Sequence, residues 1–346
     1  MNQSHTETAV PITVIGAGSW GTALAIQLAR AGSSPVILWG RDPVLMHQLE
    51  QDRSNERYLP GCRFPDTLVI EPDFNQAVSS TQRILVSVPS HAFRRVLQQL
   101  KETRGTGIAS LELAWATKGF ELSTGLLPHQ LAHLLLPECE NYAVVSGPTF
   151  ALEVGAGLPT AITVAGSTPE WSDRLAAALR SRAFIAYTSD DMIGVEIGGA
   201  VKNALAIGAG LSDGLGFGAN ARIALINRGL RELTRLGLAM GARAETFIGL
   251  AGMGDLVLTC TDNQSRNRRM GLALAAGKTI DEAAAEIGQV VEGVGAARAV
   301  FAQARRLDVR MPIIEQIYRV VVEGVDPRDA VEALLNRELS AGAEHH

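Results

Sequence analysis

A glycine-rich turn near the N-terminus places the strongest restriction on how this chain can fold. The apolar run at residues 10–15 is followed at once by the sequence GAGSWG at residues 16–21, and a helical pattern follows. A Gly-x-Gly-x-x-Gly run alone is common, but its place between a strand and a helix is typical of dinucleotide-binding units. In such units Gly16 permits the sharp turn, Gly18 lets the backbone approach a pyrophosphate, and Gly21 lets helix and strand pack closely. The turn therefore predicts a cofactor of the NAD or NADP type.

Short β-branched runs alternate with amphipathic segments through the first half of the chain. The predicted strands are Ile12–Ile15, Pro35–Trp39, Ile84–Val88, Leu113–Ala116, Ala143–Val145, Ala161–Val164 and Phe184–Tyr187. Alternation of strand and helix favours a parallel sheet covered on both faces. We expect a Rossmann-type, doubly wound α/β domain over residues 1–190.

After about Asp190 the pattern becomes almost entirely helical. The predicted helices are Met192–Leu211, Ala221–Met240, Ala244–Gly249, Arg266–Ala275, Ile280–Ile287, Ala296–Leu307, Ile313–Val322 and Pro327–Leu335. A change of this kind marks a domain boundary. We expect residues 191–346 to form an all-α domain that binds the substrate.

Bulk properties exclude several classes of function. The net charge of −5 provides no basic surface for nucleic acid, and three scattered cysteines fit a reducing cytoplasm. The apolar stretch 193–211 is almost long enough to span a bilayer, but Glu196 and Lys202 make a buried helix of a soluble protein the better interpretation. His129 and His133 have chelating spacing but no third ligand nearby, so no metal site is predicted.

Small polar residues follow three predicted strands, where a doubly wound sheet gathers its ligands. The three loops are Pro89-Ser90-His91, Thr117-Lys118-Gly119 and the segment 146–151, SGPTFA. Lys118 is the sharpest candidate, and His91 is a weaker candidate for a base beside the cofactor.

The end of the second strand is where such folds read the adenosine ribose. This chain has Gly40-Arg41-Asp42 there. Arg41 could pair with the 2′-phosphate of NADP, whereas Asp42 could hold the ribose hydroxyls of NAD. The residues favour NADP(H) and leave use of NAD(H) open.

Two further segments carry charge in unusual surroundings. Lys202 and Asn203 lie in the small-residue run GGAVKNALAIGAG at 198–210, so the amine either reaches the surface or is a buried functional group. Three arginines follow Ser265 at the start of a predicted helix and resemble a compact anion site. A solvated basic turn or an RNA contact is the alternative, although no aromatic residues are interleaved.

Long blocks of the chain, in order, show a family resemblance. They are GAGSWGTALA, VPSHAF, WATKG, SGPTFA, GGAVKN, SDGLGFGANARIALI, GDLVLTCTDNQSRNRR and GQVVEG. These blocks, spread from about residue 10 to about residue 335, resemble the bacterial NAD(P)+-dependent glycerol-3-phosphate dehydrogenases. The resemblance implies reduction of dihydroxyacetone phosphate to sn-glycerol 3-phosphate in the cytoplasm, for glycerophospholipid synthesis.

The resemblance also implies roles for individual residues. Lys202 is then the general acid and base. The substrate-binding residues are Lys118, Gly147, Thr149, Lys202, Asp255, Ser265, Arg266 and Asn267. The cofactor-binding residues, with the three loop glycines, are Ser19, Trp20, Arg41, Lys118, Ala151, Arg266, Val290 and Glu292. Lys118 would lower the pKa of Lys202 and Asp255 would raise it, and the sequence does not decide between them.

Two other interpretations fit parts of the sequence. Dehydrogenases of hydroxy acids or sugar acids also combine a Rossmann half with a helical half, but they do not need the arginine cluster. A nucleotide-sensing regulator would not need the lysines. Gly194, Gly198 and Gly199 permit close helix packing within one chain or in a homodimer.

Overall fold

The computed structural model describes residues 11–32 and 34–334 of the 346-residue chain. The chain forms two compact units, each with its own hydrophobic core. The first unit comprises Met1–Thr117 and His129–Met192, and the second comprises Lys118–Pro128 and Ile193–His346. The short segment Lys118–Pro128 thus belongs to the second unit, although a strand of the first unit leads into it.

Within the described residues the first unit contains ten strands. They are β1 (Ile12–Ile15), β2 (Val36–Trp39), β3 (Ser54–Asn55), β4 (Leu59–Arg63), β5 (Leu68–Ile70), β6 (Arg83–Val86), β7 (Glu112–Trp115), β8 (Asn141–Ser146), β9 (Thr160–Gly166) and β10 (Phe184–Ser189). Eight of them form one sheet in the order β10-β9-β8-β7-β6-β1-β2-β5, and β3 pairs with β4 separately.

Fifteen α-helices have both ends within the described residues. They are α1 (Ser19–Ala31), α2 (Pro43–Asp52), α3 (Phe74–Ser79), α4 (Ser90–Arg104), α5 (Pro128–Leu135), α6 (Ala151–Ala156), α7 (Pro169–Leu179), α8 (Met192–Gly214), α9 (Ala219–Ala239), α10 (Ala244–Ile248), α11 (Asp255–Thr261), α12 (Arg266–Ala275), α13 (Ile280–Ile287), α14 (Gly293–Arg306) and α15 (Pro312–Glu323). A 3₁₀ turn spans Gly105–Ser110, a π turn spans Leu250–Gly254, and residues 327–334 are helical. Leu335, the predicted end of that last helix, lies outside the described residues.

The main sheet is doubly wound, as predicted. From β1 the chain moves outward to β2 and β5, then returns to β6 on the other side of β1 and continues to β7 and β8. Because parallel crossovers are right-handed, this reversal places the two sets of connecting helices on opposite faces. Two strands depart from the predicted parallel order, since β9 runs antiparallel to β8 and β10 runs parallel to β9. The reversal at β1 puts the glycine-rich turn at the switch point, where such sheets bind ligands.

Local sequence explains the element ends that border the loops. All four residues of β1 are buried, as expected for a parallel strand covered on both sides. Asp42 accepts hydrogen bonds from the backbone of Val44 and Leu45 at the start of α2, where Pro43 already has helical φ. Thr279 and Glu282 form a capping box that starts α13.

Helix α8 lies in the centre of the second unit. Every residue from Gly194 to Ser212 is buried, including Glu196, Lys202 and Asn203. Among the described residues it is the one helix long and apolar enough to cross a membrane, and 89% of its most apolar stretch is buried inside the protein. The prediction of a buried core helix is confirmed, and the amine of Lys202 does not snorkel to the surface.

Candidate active site

The glycine-rich loop joins β1 to α1 and has little room for side chains. Gly16 has a φ of +122°, and a Cβ there would lie 2.2 Å from the carbonyl oxygen of Ser87. A Cβ on Gly21 would lie 1.9 Å from the carbonyl oxygen of Gly16. Both glycines are therefore required by the fold itself.

Gly18 differs from its two neighbours, and this difference bears on the cofactor. A Cβ on Gly18 would meet nothing within 4 Å, and its φ is −81°. Neither packing nor backbone conformation requires glycine there, whereas close approach of a pyrophosphate to the backbone does. Gly18 also precedes the first turn of α1 and provides no side-chain cap, so N–H groups of that turn are oriented for an anion. The loop fits a dinucleotide.

Two residues that sequence reasoning missed, Asn55 and Thr22, fix the loop in place. The buried amide of Asn55 donates to the carbonyl oxygen of Ala17 at 3.1 Å and to Thr22 Oγ1 at 2.9 Å. Asn55 lies in β3, far from the loop in sequence, so no local pattern indicated it.

The remaining cofactor and substrate candidates of the first unit occupy well-defined turns. Gly147 has a φ of +150°, and a Cβ there would lie 3.0 Å from Cα of Ile162. Thr149 Oγ1 donates to the carbonyl oxygen of Gly147 at 3.3 Å. Ala151 begins α6, which packs against α1, and like Trp20 it lies against the core. The SGPTFA segment is thus brought to the helix that follows the glycine loop.

Arg41 and Asp42 have different surroundings at the end of β2. Arg41 is exposed, whereas Asp42 Oδ1 accepts from Val44 N at 3.1 Å and from Leu45 N at 3.3 Å. Asp42 therefore serves as the N-cap of α2. Arg41, at the same strand end, has no capping role.

The second unit contains a buried cluster of two lysines and one aspartate. Lys202 Nζ donates to Asp255 Oδ1 at 2.5 Å and to Thr259 Oγ1 at 2.9 Å. Lys118 Nζ donates to the other carboxylate oxygen of Asp255 at 2.7 Å. Asp255 is fully buried and Lys202 is 6% exposed. These four residues, Lys118, Lys202, Asp255 and Thr259, are called the lysine–aspartate cluster below.

Three segments of the second unit supply the cluster. Lys118 begins the segment Lys118–Pro128, which is fixed by burial of Phe120 and Leu127 and by a 2.5 Å hydrogen bond from Gln303 to Gly125 O. Lys202 comes from α8. Asp255 and Thr259 lie four residues apart on α11 and thus share one face of that helix.

Burial lowers the pKa of Lys202 from its ordinary value of 10.5 to about 8. Desolvation is the largest cause, Asp255 opposes it, and the charge of Lys118 adds to the decrease. The question that the sequence left open is thereby answered, because burial together with Lys118 outweighs Asp255. An amine with this pKa can both give and accept a proton near neutral pH.

The arginines at the start of α12, which the sequence grouped into one anion site, have different surroundings. Ser265 caps the helix by accepting from Arg268 N at 3.2 Å. Arg268 is buried and points inward, where its guanidinium donates to Asp213 and Asn263 at 2.5 Å each and to Cys260 O at 3.1 Å. The interpretation of all three arginines as an anion site was therefore wrong for Arg268, which holds the fold together.

Arg266 and Asn267 remain candidates for anion binding. Arg266 Nη1 donates to Gln289 Oε1 at 3.4 Å, and burial lowers the pKa of its guanidinium, with Glu292 opposing. Asn267 donates to Asn203 Oδ1 at 2.9 Å and accepts from Gly293 N at 2.9 Å. As far as residues 11–32 and 34–334 show, Asn267 donates one of its two amide N–H groups, and the second is available for a ligand. Glu292 directly precedes α14, and Val290 is exposed nearby in sequence.

Other candidate groups have no comparable setting. His91 and His133 are exposed. Burial raises the pKa of the Cys260 thiol to about 12, so it is not a nucleophile. Among residues 11–32 and 34–334, no group of three or more His, Cys, Asp or Glu side chains could hold a metal ion.

Sequence reasoning missed Thr259, the second partner of Lys202. The signal was the four-residue spacing from Asp255, but α11 itself was not predicted. It also assigned no role to Asn203, whose amide connects α8 to α12.

Comparison with known proteins agrees with this architecture. Residues 11–172 match the family described as NAD-dependent glycerol-3-phosphate dehydrogenase N-terminus, and residues 191–332 match the corresponding C-terminus. The chain is 56% identical over 331 residues to a glycerol-3-phosphate dehydrogenase (NAD(P)+) of Shewanella frigidimarina, covering 95% of this chain and 97% of that protein.

Solved structures give the same result. A crystal structure of glycerol-3-phosphate dehydrogenase from Coxiella burnetii matches with a TM-score of 0.90 and 45% identity, covering 94% of this chain and 98% of that one. The enzyme from Saccharomyces cerevisiae matches with a TM-score of 0.78 and 26% identity, over 93% and 98% of the two chains. With both halves matched and the relatives covered nearly end to end, the chain belongs to the NAD-dependent glycerol-3-phosphate dehydrogenase family.

Proposed function

We propose that this protein reduces dihydroxyacetone phosphate to sn-glycerol 3-phosphate, reversibly, with Lys202 as the general acid and base. The observation that carries the proposal is the buried Lys202 amine, held by Asp255 and Thr259, with a pKa of about 8. Family membership supports the overall reaction, and the geometry of the cluster supports the role of the lysine.

The first unit would hold NAD(P)H through residues of the glycine-rich loop and its neighbours. Gly16, Gly18 and Gly21 shape the loop, Ser19 and Trp20 begin α1, and Arg41 stands at the end of β2. When bound, the cofactor supplies the hydride that reaches the carbonyl carbon. We also assign Ala151 of the first unit, and Lys118, Arg266, Val290 and Glu292 of the second, to cofactor binding, on the basis of the family motifs.

The second unit would supply the proton. Within the described residues, the Lys202 ammonium donates to Asp255 and Thr259, so one of its three N–H groups remains for the substrate oxygen. In reduction, the oxygen of the former carbonyl takes a proton from Lys202 and becomes a hydroxyl, while Lys202 becomes a neutral amine. Asp255 then still has Lys118 as its partner. A carboxylate between two amines therefore keeps a buried counter-charge in both protonation states of Lys202.

Phosphate recognition is assigned to the start of α12. Arg266 and Asn267 occupy its first two positions, Ser265 caps it, and an anion is favoured at a helix N-terminus. Gly147 and Thr149 of the first unit are assigned to substrate binding on the basis of the family motifs alone. Binding energy from the phosphate would orient the carbonyl and so assist the chemical step.

We further propose that the enzyme acts in the cytoplasm, that its product feeds glycerophospholipid synthesis, and that it functions as a homodimer. The family motifs support the first two. The glycines of α8, for which the sequence left packing within one chain or in a dimer open, are buried within this chain. Light scattering of the purified protein would decide the assembly state.

The deciding experiment measures oxidation of NADPH with dihydroxyacetone phosphate, and with glyceraldehyde phosphate and pyruvate as controls. We expect turnover with dihydroxyacetone phosphate only. Turnover of pyruvate would favour a hydroxy-acid dehydrogenase, and NADPH binding without any turnover would favour a regulator.

Lys202→Ala tests the proton role in the same assay. We expect turnover to fall about 10²–10⁴-fold, the usual contribution of a general acid, with NADPH binding followed by fluorescence largely unchanged. Lys278→Ala is the control, since Lys278 is a half-exposed lysine paired with Glu286. Equal loss of cofactor binding and turnover in Lys202→Ala would make Lys202 a structural residue.

A further inference from the structure

The two helices that carry Lys202 and the anion-binding residues touch backbone to backbone. A Cβ on Gly271 of α12 would lie 2.1 Å from the carbonyl oxygen of Ile207 in α8. A Cβ on Gly210 of α8 would lie 2.1 Å from the carbonyl oxygen of Arg268 in α12. No side chain separates α8 from α12 at these two glycines. An added side chain there could be accommodated only by moving one helix away from the other.

Facing residues show that α8 and α12 run side by side in the same direction. Asn203 is hydrogen-bonded to Asn267, Gly271 faces Ile207, and Gly214 faces Ala275, where an added Cβ would lie 2.5 Å from that of Ala275. An ion pair between Asp213 of α8 and Arg268 of α12, 2.5 Å long, adds a further connection.

Asn203 of α8 and Asn267 of α12 are the first pair of facing residues. Lys202 directly precedes Asn203, and Arg266 directly precedes Asn267. The two functional residues therefore leave their helices at the same level. Moving the two helices apart therefore changes the distance between their Cα atoms.

We propose that the glycine contact between α8 and α12 fixes the substrate length that the enzyme accepts, measured from the reacting carbonyl to the phosphate. The proposal rests on the proposed function, in which Lys202 serves the carbonyl and the start of α12 binds the phosphate. A ketone with one more methylene between these groups exceeds the span. Gly210 and Gly271 are thus positioning residues for substrate selection.

The test compares dihydroxyacetone phosphate with 1,4-dihydroxybutan-2-one 4-phosphate, which has one additional methylene between carbonyl and phosphate. The wild-type enzyme should prefer the shorter ketone at least about 100-fold in kcat/KM, since an error of about 1 Å in position can cost that much. In Gly271→Ala the Cβ needs roughly 3 Å from Ile207 O, so the helices separate by about 1 Å. We expect the preference to fall at least tenfold, through lower kcat/KM for the shorter ketone.

Gly214→Ala is the matched control, because it crowds the same helix pair at the end far from Lys202. It should lower the melting temperature and leave the preference unchanged. If Gly271→Ala does not fold, Gly210→Ala crowds the same contact from the α8 side, with its Cβ 2.1 Å from Arg268 O. It too should reduce the preference.

Three results would overturn the proposal: less than tenfold preference in the wild type, an unchanged preference in a folded Gly271→Ala or Gly210→Ala variant, or an equal change in Gly214→Ala. The proposed function fails separately, if the wild type reduces neither phosphorylated ketone. In that case this inference fails with it.

Discussion

The glycine-rich loop of the first unit and the lysine–aspartate cluster of the second are built from opposite materials. The loop contains no ionisable side chain between residues 16 and 21, and the backbone N–H groups at the start of α1 provide its polarity. The cluster instead places two amines and one carboxylate where their side chains are at most 14% exposed. One site is formed by keeping side chains away, and the other by burying charges that balance one another.

This difference determines what each site tolerates. A backbone site is sensitive to added volume, because its glycines lie against carbonyl oxygens, and it has nothing to titrate. A buried charge site is sensitive to the loss of one partner and to pH, because each remaining charge has lost its hydration. The predictions below test this contrast.

Removal of the shared carboxylate should have the largest effect on stability. Asp255→Asn leaves two buried amines without their counter-charge, and breaking a buried pair of this kind costs about 3–5 kcal/mol of unfolding free energy. Urea unfolding at pH 7 measures it. Glu286→Gln, which removes the exposed partner of Lys278, is the control and should change the free energy by less than about 1 kcal/mol.

The same variant should regain stability as pH rises. The folded-state pKa of Lys202, about 8, lies below its ordinary 10.5, so the unfolded chain binds more protons between these values. Stability therefore rises with pH across that window. Asp255 raises the pKa of Lys202, so without it the window begins at a lower pH. A loss of the same size at pH 7 and pH 9.5 would contradict the assignment of the cost to buried amines.

An added methyl group distinguishes the glycines of the loop from one another. Gly21→Ala forces a Cβ against Gly16 O and should cost about 1–3 kcal/mol of unfolding free energy. Gly18→Ala has open space around its Cβ, so the fold should keep its melting temperature while NADPH affinity decreases. Calorimetry and fluorescence titration of both variants would show the contrast. Unchanged NADPH affinity in Gly18→Ala would leave that glycine without a cofactor role.

Much of the fold followed from the sequence because its elements have strong local signals. The bounds of β1, α12 and α13 were predicted as observed, since a buried apolar run, a serine cap and a capping box define them. The strands β3, β4 and β5 were missed: β3 has two residues and β5 has three, and β4 contains a proline and a glycine, which are rare in strands. The reversed direction of β9 and β10 was not predicted either, because strand direction depends on how the chain returns to the sheet.

The candidate site was predicted where motifs are contiguous and missed where the fold assembles it. Lys118, Lys202 and Asp255 were grouped only through the family resemblance, because contacts between residues 53 and 137 positions apart leave no local pattern. For Arg268 the sequence suggested a role that the structure does not support. It lies two residues after Arg266 and was therefore assigned to the same anion site, but Asp213 holds its guanidinium inward.

The pH dependence of the two reaction directions should separate the charge site from the backbone site. With the pKa of Lys202 at about 8, kcat/KM for ketone reduction should fall tenfold per pH unit above that value, since the ammonium donates the proton. Oxidation of glycerol 3-phosphate should rise tenfold per unit up to the same pH, since the neutral amine accepts it. Cofactor binding should stay flat over this range. Profiles that slope in the same direction for both reactions would contradict the role of Lys202.

Arg41 provides the smallest test, because its charge is exposed instead of buried. Arg41→Ala should weaken NADPH about tenfold and leave NADH unchanged, since the guanidinium would pair with the 2′-phosphate. Arg182→Ala removes an equally exposed charge of the first unit and serves as the control. The effect of Arg41 should also diminish at 1 M salt, where exposed charges are screened within about 3 Å.

The stability loss of Asp255→Asn should change little with salt, because solvent ions do not reach a fully buried carboxylate. If salt removed both effects equally, the cluster would behave as a surface site and the contrast between the two units would fail.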